Sequence, residues 1–327
     1  MPDIAAHQRA LRLGTRGSQL ARWQAEWVAE RLRQLGQAVE LIEISTHGDA
    51  EPARRIEEIG TRGVFTKEIQ RALLANEVDL AVHSLKDLPT EPIEGLMLAA
   101  VPPRESAADV LVMRAGSREQ EAGSGINLHA PCSMFPAGAH VGTGSFRRQA
   151  QIRHARPDVR TEDIRGNVDT RLRKLDDGQF DAIILAEAGL RRLGLSNRIT
   201  YVFPFELMLP AVGQGALAME CRTDDAATQA AVAPLDDFRT HAAVVAERAL
   251  LRQLRGGCMA PVGALAELRG NELNLSATVL STNGDQRLFA HDASSTINSP
   301  SAEALGHRVA EILLAQGAAK LIANART

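Results

Sequence analysis

The sequence predicts an α/β protein of two lobes joined by two chain crossovers, followed by a small C-terminal α+β domain. Three observations carry this. Short apolar strands alternate with helical patterns up to residue 186, as strand–helix–strand units do. After that alternation a glycine-bearing segment, 209–216, leads into one more apolar strand, which brings the chain back to the first sheet. Beyond residue 260 the pattern becomes three strands with turn signals at Gly270-Asn271 and Asn283-Gly284, then an amphipathic helix stopped by Gly317. The expected lobes are 1–104 with 215–234, and 105–214; the C-terminal domain is 238–327.

Composition narrows the partners. The 327 residues are 45% hydrophobic and 24% charged, ordinary for a globular chain, with aromatic residues at only 3%. The cores therefore rest on Leu, Ile, Val and Ala. A net charge of −3 gives no reason to expect a nucleic acid. Three cysteines, Cys132, Cys221 and Cys258, are odd in number and lack CxxC spacing, which argues against a disulfide framework or a zinc site. No metal is expected, and a reducing, cytoplasmic setting fits best. The first residues carry Arg9, Arg12, Arg16 and Arg22 without an apolar core segment, so no secretory signal is read, and no apolar run reaches membrane-span length.

In the first lobe, a strand at 11–13 runs into Gly14-Thr15-Arg16-Gly17-Ser18. Ser18 is an N-cap candidate for a helix with Leu20, Trp23, Trp27, Val28 and Leu32 on one face. A strand-to-helix turn bearing Arg16 is a place to hold an anion. The two tryptophans read as core. A strand covers 39–45, a long charged loop 47–63, expected as a mobile lid, and a helix 65–76. The strand 78–82 delivers His83-Ser84-Leu85-Lys86-Asp87-Leu88-Pro89 at its carboxyl end, where ligands bind in open α/β sheets. Asp87 is thus placed for chemistry, although an aspartate before a proline turn is more often a turn residue. Strand 96–101 ends at Pro102-Pro103, the lobe boundary.

The second lobe starts with strand 108–113 and a Gly/Ser/Pro-rich insertion, 115–138, which contains Cys132. One pattern then repeats. Val141-Gly142-Thr143-Gly144-Ser145 leads into a helix with Arg147 and Arg148, and strand 161–164 and Arg165-Gly166-Asn167 into a helix with Arg171. Strand 181–186 leads into a helix with Arg191 and Arg192. The alternation predicts a parallel sheet. Arginine at three successive junctions predicts a pocket for a ligand with several carboxylates or phosphates, because the guanidinium fork pairs with both and a cation in a first helical turn calls for a compensating anion. With Phe146 as the lone aromatic in the stretch, nucleic acid is the weaker explanation. Gly213-Gln214-Gly215 is too short and wrongly placed for a dinucleotide fingerprint, and no GxxxxGK[ST] motif occurs, so neither NAD nor ATP is invoked.

A helix at 240–254 delivers Arg255-Gly256-Gly257-Cys258-Met259-Ala260-Pro261. Taken alone, this is a buried cysteine after a helix end. Gly-Gly before it and Pro261 after it would also let a loop present the thiol for covalent chemistry.

Together these stretches resemble the hydroxymethylbilane synthase (porphobilinogen deaminase) family, from Leu11 to about Ile322. The matching motifs are Thr15-Arg16-Gly17-Ser18, His83 to Asp87, Val141-Gly142-Thr143 with Arg147-Arg148, Arg165-Gly166-Asn167, Leu209 to Ala216, and Arg255 to Pro261. Singly each is weak; their joint order and spacing are specific. The resemblance implies two periplasmic-binding-protein-like lobes with a doubly crossed connection, plus the small C-terminal α+β domain. It implies a transferase that condenses four porphobilinogen molecules head to tail with loss of ammonia, giving hydroxymethylbilane for tetrapyrrole biosynthesis. It further implies a dipyrromethane cofactor joined by a thioether to Cys258, and a monomer. By motif match, Lys86, Ser84, Thr143, Ser145, Arg147, Arg148, Arg165 and Gly166 would hold the cofactor. Arg16, Ser18, Phe65, Arg165, Arg171, Arg192 and Gln214 would hold substrate, whose acetate and propionate groups explain the need for arginines. Asp87 would be the catalytic carboxylate, stabilising the cation left when ammonia departs.

Some positions depart from that family's pattern. Glu58 and Arg62 stand where lysines are frequent, His47 where an arginine is common, and Gly144 where a serine is common; the 115–138 insertion is long. A two-lobed anion-binding or effector-sensing protein would explain the arginines but give the Gly-Gly-Cys loop no purpose. A pyrrole-binding relative without turnover is opposed by the presence of both Asp87 and Cys258.

Overall fold

The computed structural model describes residues 9–45, 66–114, 137–257 and 260–325. The chain divides into two compact units, Met1–Pro103 with Ala216–His241, and Arg104–Gly215 with Ala242–Thr327.

The first unit is built on a five-stranded sheet. Leu11–Thr15 pairs in parallel with Val39–Glu43 on one side and Leu80–Ser84 on the other. The returning strand Leu217–Arg222 lies antiparallel between Leu80–Ser84 and Leu96–Ala100. The expected return to the first sheet is thus present, as an interior strand beside the edge strand Leu96–Ala100. Gln19–Gln34 forms the helix read from its apolar face, and Ser18 caps it by accepting from the Ala21 amide. Ala25, Val28, Ala29 and Leu32 pack from it on Leu13, Leu80, Val82 and Met219. Helix Lys67–Leu74 covers the opposite face with Ile69, Ala72 and Leu73 on Val78 and Ala81. At the far end of the sheet, Arg12 and Arg222 converge on Asp79 at 2.7 and 3.4 Å. Burial alone would raise the Asp79 carboxyl; the hydrogen bonds and charge of Arg12, helped by Arg9, outweigh it and bring it to about 2.

The second unit holds two sheets. In the first, His140–Gly142 runs parallel to Arg160–Glu162 and Ala182–Ala186, as the strand–helix alternation predicts. Asp109–Met113 is antiparallel both to Ala182–Ala186 and to the short strand Tyr201–Val202, so the sheet is mixed where the sequence predicts a parallel one. Only the segments linked by crossover helices need share a direction; Asp109–Met113 enters without one. The C-terminal sheet is an antiparallel meander of Val262–Arg269, Glu272–Leu280 and Arg287–Ser294, with helices Ser299–Ala315 and Phe238–Gln253 sharing its core. Both turns are where the glycines place them: Gly270 (φ 63°) and Gly284 (φ 85°) are left-handed, a region that favours glycine. A second helix, Ala318–Asn324, follows Gly317 and lies beyond the sequence reading.

The two sheets of this unit are tied by polar contacts. Glu247 is fully buried in helix Phe238–Gln253. Its carboxylate accepts from Arg104 Nη1 (2.6 Å), Gly213 N (2.7 Å) and Ala266 N (2.9 Å). Arg104 Nε also donates to Gln214 O. One carboxylate therefore links the lobe's exit segment to the C-terminal sheet.

Candidate active site

In the first unit, the carboxyl ends of the strands form a pocket lined by Arg16, Ser18, Gln24, Thr66, His83, Ser84 and Asp87. Local structure explains the placement. Thr15 ends its strand, and Ser18 opens the helix, so Arg16 sits in the turn between. Gly17 leaves room there for the Glu43 side chain, whose Oε1 would stand 2.6 Å from a Cβ and would have to shift. Ser84 exchanges hydrogen bonds with Gln24, 2.8 Å from its Nε2. Leu85, Lys86 and Asp87 make one 3-10 turn. Buried Leu85 anchors it, its amide donating to Ala216 O at 3.0 Å, while Asp87 at the end of the turn is exposed. Beneath the pocket His83 Nε2 stands 3.2 Å from Glu220 Oε2, and Gln70 Nε2 donates to both oxygens of that carboxylate.

The second unit carries the other arginines in two different settings. Arg147 and Arg148 lie in the first turn of helix Phe146–Ala155, whose N-cap is Ser145; its oxygen accepts from the Arg148 amide. Both arginines are buried, and so is Asp109, which they share: Arg147 Nη1 lies 2.6 Å from Oδ2 and Arg148 Nε 2.9 Å from Oδ1. Gln214, 1% exposed, donates to Asp109 Oδ1 and Ala107 O and accepts from Arg148. Thr143 is buried, its hydroxyl oxygen accepting from Ser145 N. Burial would raise the Asp109 carboxyl, but the two guanidiniums hold it well below the usual carboxylate range, while burial lowers Arg147. One carboxylate for two guanidiniums leaves this cluster positive. Among the described residues, Arg147 Nε is buried without a hydrogen-bond partner.

Arg165, Arg171 and Arg192 are half-buried. Asn167 caps helix Val168–Asp176, and Gly166 (φ 112°) turns the chain before it. Arg165 Nε donates to Asp163 Oδ2, Arg171 Nε to Gly166 O, and Arg192 Nη2 to Gly215 O. Burial pushes Arg192 down to about 10. A cation disfavoured by its surroundings gains from an anionic ligand. These features, with the unpartnered Arg147 Nε, fit a ligand rich in carboxylates.

Helix Phe238–Gln253 is followed by Arg255 (φ 51°) and Gly257 (φ 62°), two left-handed residues in a tight reversal. Cys258, which the sequence singles out, lies outside the described residues, as do Phe65, Cys132, His47, Glu58 and Arg62 and the 115–136 part of the insertion. Cys221 is buried in the first sheet, and burial pushes its thiol up to about 11, which makes it inert at neutral pH.

Residues 11–230 match "Porphobilinogen deaminase, dipyromethane cofactor binding domain", and residues 241–315 match "Porphobilinogen deaminase, C-terminal domain". The chain belongs to the porphobilinogen deaminase family. It is 47% identical to the porphobilinogen deaminase of Desulforudis audaxviator over 98% of this chain and 99% of that one. Identity to the Xanthomonas axonopodis pv. citri porphobilinogen deaminase is 48%, over 96% and 99% of the two chains. A periplasmic sulfonate-binding protein, SsuA of Methylobacillus flagellatus, aligns with 76% of this chain and 68% of its own at 12% identity and a TM-score of 0.38. Family membership makes the chain a transferase that polymerises porphobilinogen into hydroxymethylbilane, with a dipyrromethane cofactor.

Several residues escaped the sequence reading. Thr66, Gln24 and His83 line the pocket without having been given a role. Asp109 and Glu247 left a usable signal, each being an acid beside a run of apolar residues (Asp109-Val-Leu-Val-Met113, and Ala-Val-Val-Ala-Glu247). A carboxylate so placed is buried and needs a cationic or amide partner.

Proposed function

We propose that the reaction is carried by Asp87, that Cys258 anchors the cofactor, and that the arginines of both units bind pyrrole carboxylates. The observation behind this is Asp87 at the carboxyl end of strand Leu80–Ser84, in one pocket with Arg16, Ser18 and Ser84. A guanidinium and hydroxyls in that pocket suit the acetate and propionate of porphobilinogen. A carboxylate in the same pocket suits the pyrrole N–H and the positive charge that develops as ammonia leaves. Asp87 then stabilises that cation, and it can take up the proton released when the new bond has formed. Arg16 and Ser18 orient the substrate while this happens.

The cofactor supplies, when bound, the pyrrole α-carbon that acts as the first nucleophile. Cys258 would hold it covalently; Lys86, Ser84, Thr143, Ser145, Arg147, Arg148, Arg165 and Gly166 would hold it through polar contacts. The surplus positive charge around Asp109 supports the assignment of Arg147 and Arg148. Arg165, Arg171, Arg192 and Gln214 are assigned to the added pyrroles, as is Phe65.

The test is intact mass under denaturing conditions. Wild type should carry an excess of two linked pyrroles on the Cys258 peptide, rising in single-pyrrole steps with porphobilinogen. Cys258→Ser should fold yet have the bare polypeptide mass and no turnover; full activity in it would remove Cys258 from the mechanism. Asp87→Ala should keep the cofactor and lose about 10²–10⁴-fold in kcat. Near-normal product formation would remove Asp87. We place the enzyme in the cytoplasm as a monomer, to be checked by cell fractionation and light scattering. Among the described residues, no helix is long and apolar enough to cross a membrane.

A further inference from the structure

We propose that Thr66 is a further substrate-binding residue, whose hydroxyl donates a hydrogen bond to a pyrrole carboxylate held by Arg16. The proposal rests on the reading of the first-unit pocket as a porphobilinogen site.

Thr66 occupies the N-cap position of helix Lys67–Leu74, where a threonine hydroxyl ordinarily accepts from a backbone amide of the first turn. Here it makes no capping hydrogen bond. Its backbone serves the helix, with Gln70 N donating to Thr66 O at 2.8 Å, but its side chain does not. The residue is 1% exposed, and among the described residues Oγ1 has no hydrogen-bond partner. A buried hydroxyl in that condition is costly, which Val at the same position would avoid.

What Thr66 touches gives the hydroxyl a use. The residue lines the pocket together with Arg16, Ser18, Ser84 and Asp87. His83 lines it too, but its Nε2 already stands beside the Glu220 carboxylate. His83 Nε2 and Thr66 Oγ1 are both buried without a hydrogen-bond partner among the described residues, but His83 Nε2 faces the Glu220 carboxylate, which leaves Thr66 as the side chain with an unused hydroxyl. A hydroxyl donates readily to a carboxylate, and the charged acceptor makes such a bond stronger than a neutral one. Arg16 supplies the charge and Thr66 would supply direction, separating a pyrrole with its carboxylate in register from one displaced. A site built to hydrogen-bond a substrate leaves an unpaired group when the substrate is absent.

The test pairs two conservative variants in the full-length, cofactor-loaded enzyme. Thr66→Val keeps the shape and removes the hydroxyl; Thr66→Ser keeps the hydroxyl. Thr66→Val is expected to raise KM for porphobilinogen about tenfold, which is about 1.4 kcal/mol. Its Tm without substrate should be equal to or above wild type, because the unpaired buried hydroxyl is gone. Thr66→Ser should stay within about twofold of wild type in KM. A merely structural threonine gives a different result: KM unchanged in Thr66→Val, or KM and Tm worsening together. Either would overturn the proposal. Arg16→Gln, measured alongside, decides the reading beneath it. If Arg16→Gln leaves KM unchanged, the substrate is not bound in this pocket. If it raises KM while Thr66→Val does not, the pocket stands and the Thr66 assignment fails.

Discussion

Arg147 and Arg148 on the one hand, and Arg165, Arg171 and Arg192 on the other, come from the same sequence device: arginine where a strand of the second unit passes into a helix. The fold treats them differently. The first pair is sunk into the interior around Asp109, with Gln214 completing the cluster. The other three are half-buried and lean on backbone carbonyls or, for Arg165, on a half-exposed aspartate. An arginine at a helix start asks for an anion, and the sequence pattern does not say whether the fold or the ligand provides it. An acid in an apolar strand, as at Asp109, signals that the fold supplies part of the counter-charge, one carboxylate against two guanidiniums.

That difference can be broken most visibly at Asp109. Asp109→Asn leaves two buried guanidiniums without a counter-charge, and a loss of about 3–5 kcal/mol in stability is expected by chemical unfolding. If the variant unfolds like wild type, the cluster is not what holds this helix to its sheet. The contrasting expectation is for Arg165→Gln and Arg192→Gln. Each should unfold within about 0.5 kcal/mol of wild type. Each should raise KM about tenfold or more, as expected for a charge-assisted hydrogen bond worth about 1.5–3 kcal/mol. Equal KM values would show that these arginines serve the fold after all.

A smaller effect sharpens the comparison from outside the second unit. Asp79 also gathers arginines, at the end of the first sheet away from the pocket. Its carboxyl is lowered from 3.8 to about 2, so its contribution to stability is present above the ordinary value and is lost as pH falls through the folded value. Acid unfolding of wild type and Asp79→Asn should therefore differ at neutral pH and converge between about pH 4 and 2. A difference that persists below pH 2 would mean the site acts through packing.

The fold was legible where local chemistry is strong. Ser18 and the glycines at 270 and 284 announce a cap and turns that the structure contains. Apolar stretches located most strands of both lobes and the three of the C-terminal sheet, but not the two-residue strand Tyr201–Val202, which is too short to show a pattern. Strand direction was less legible, because periodicity carries no sign: Asp109–Met113 reads like its neighbours and runs opposite to Ala182–Ala186. In the site, Arg16, Ser18, Ser84 and Asp87 share a pocket as their motifs imply. Thr66 carries no such signal, because the sequence places it inside a helix 65–76, whereas the helix starts at Lys67 and Thr66 stands at its N-cap position without capping it.

The position of Leu217–Arg222 has a consequence for synthesis. This strand fills the slot between Leu80–Ser84 and Leu96–Ala100, so the first sheet lacks a middle strand until the ribosome has made everything from 104 to 215. Throughout that interval the nascent chain holds two raw strand edges open, the arrangement most exposed to mispairing with other chains. The residues most needed for chemistry, in the turn after Leu80–Ser84, emerge early but can acquire their final support, such as the bond from Leu85 N to Ala216 O, only late. A cell that makes this protein quickly would be expected to lean on chaperones during that window more than during the completion of the C-terminal meander, whose strands pair with their immediate neighbours.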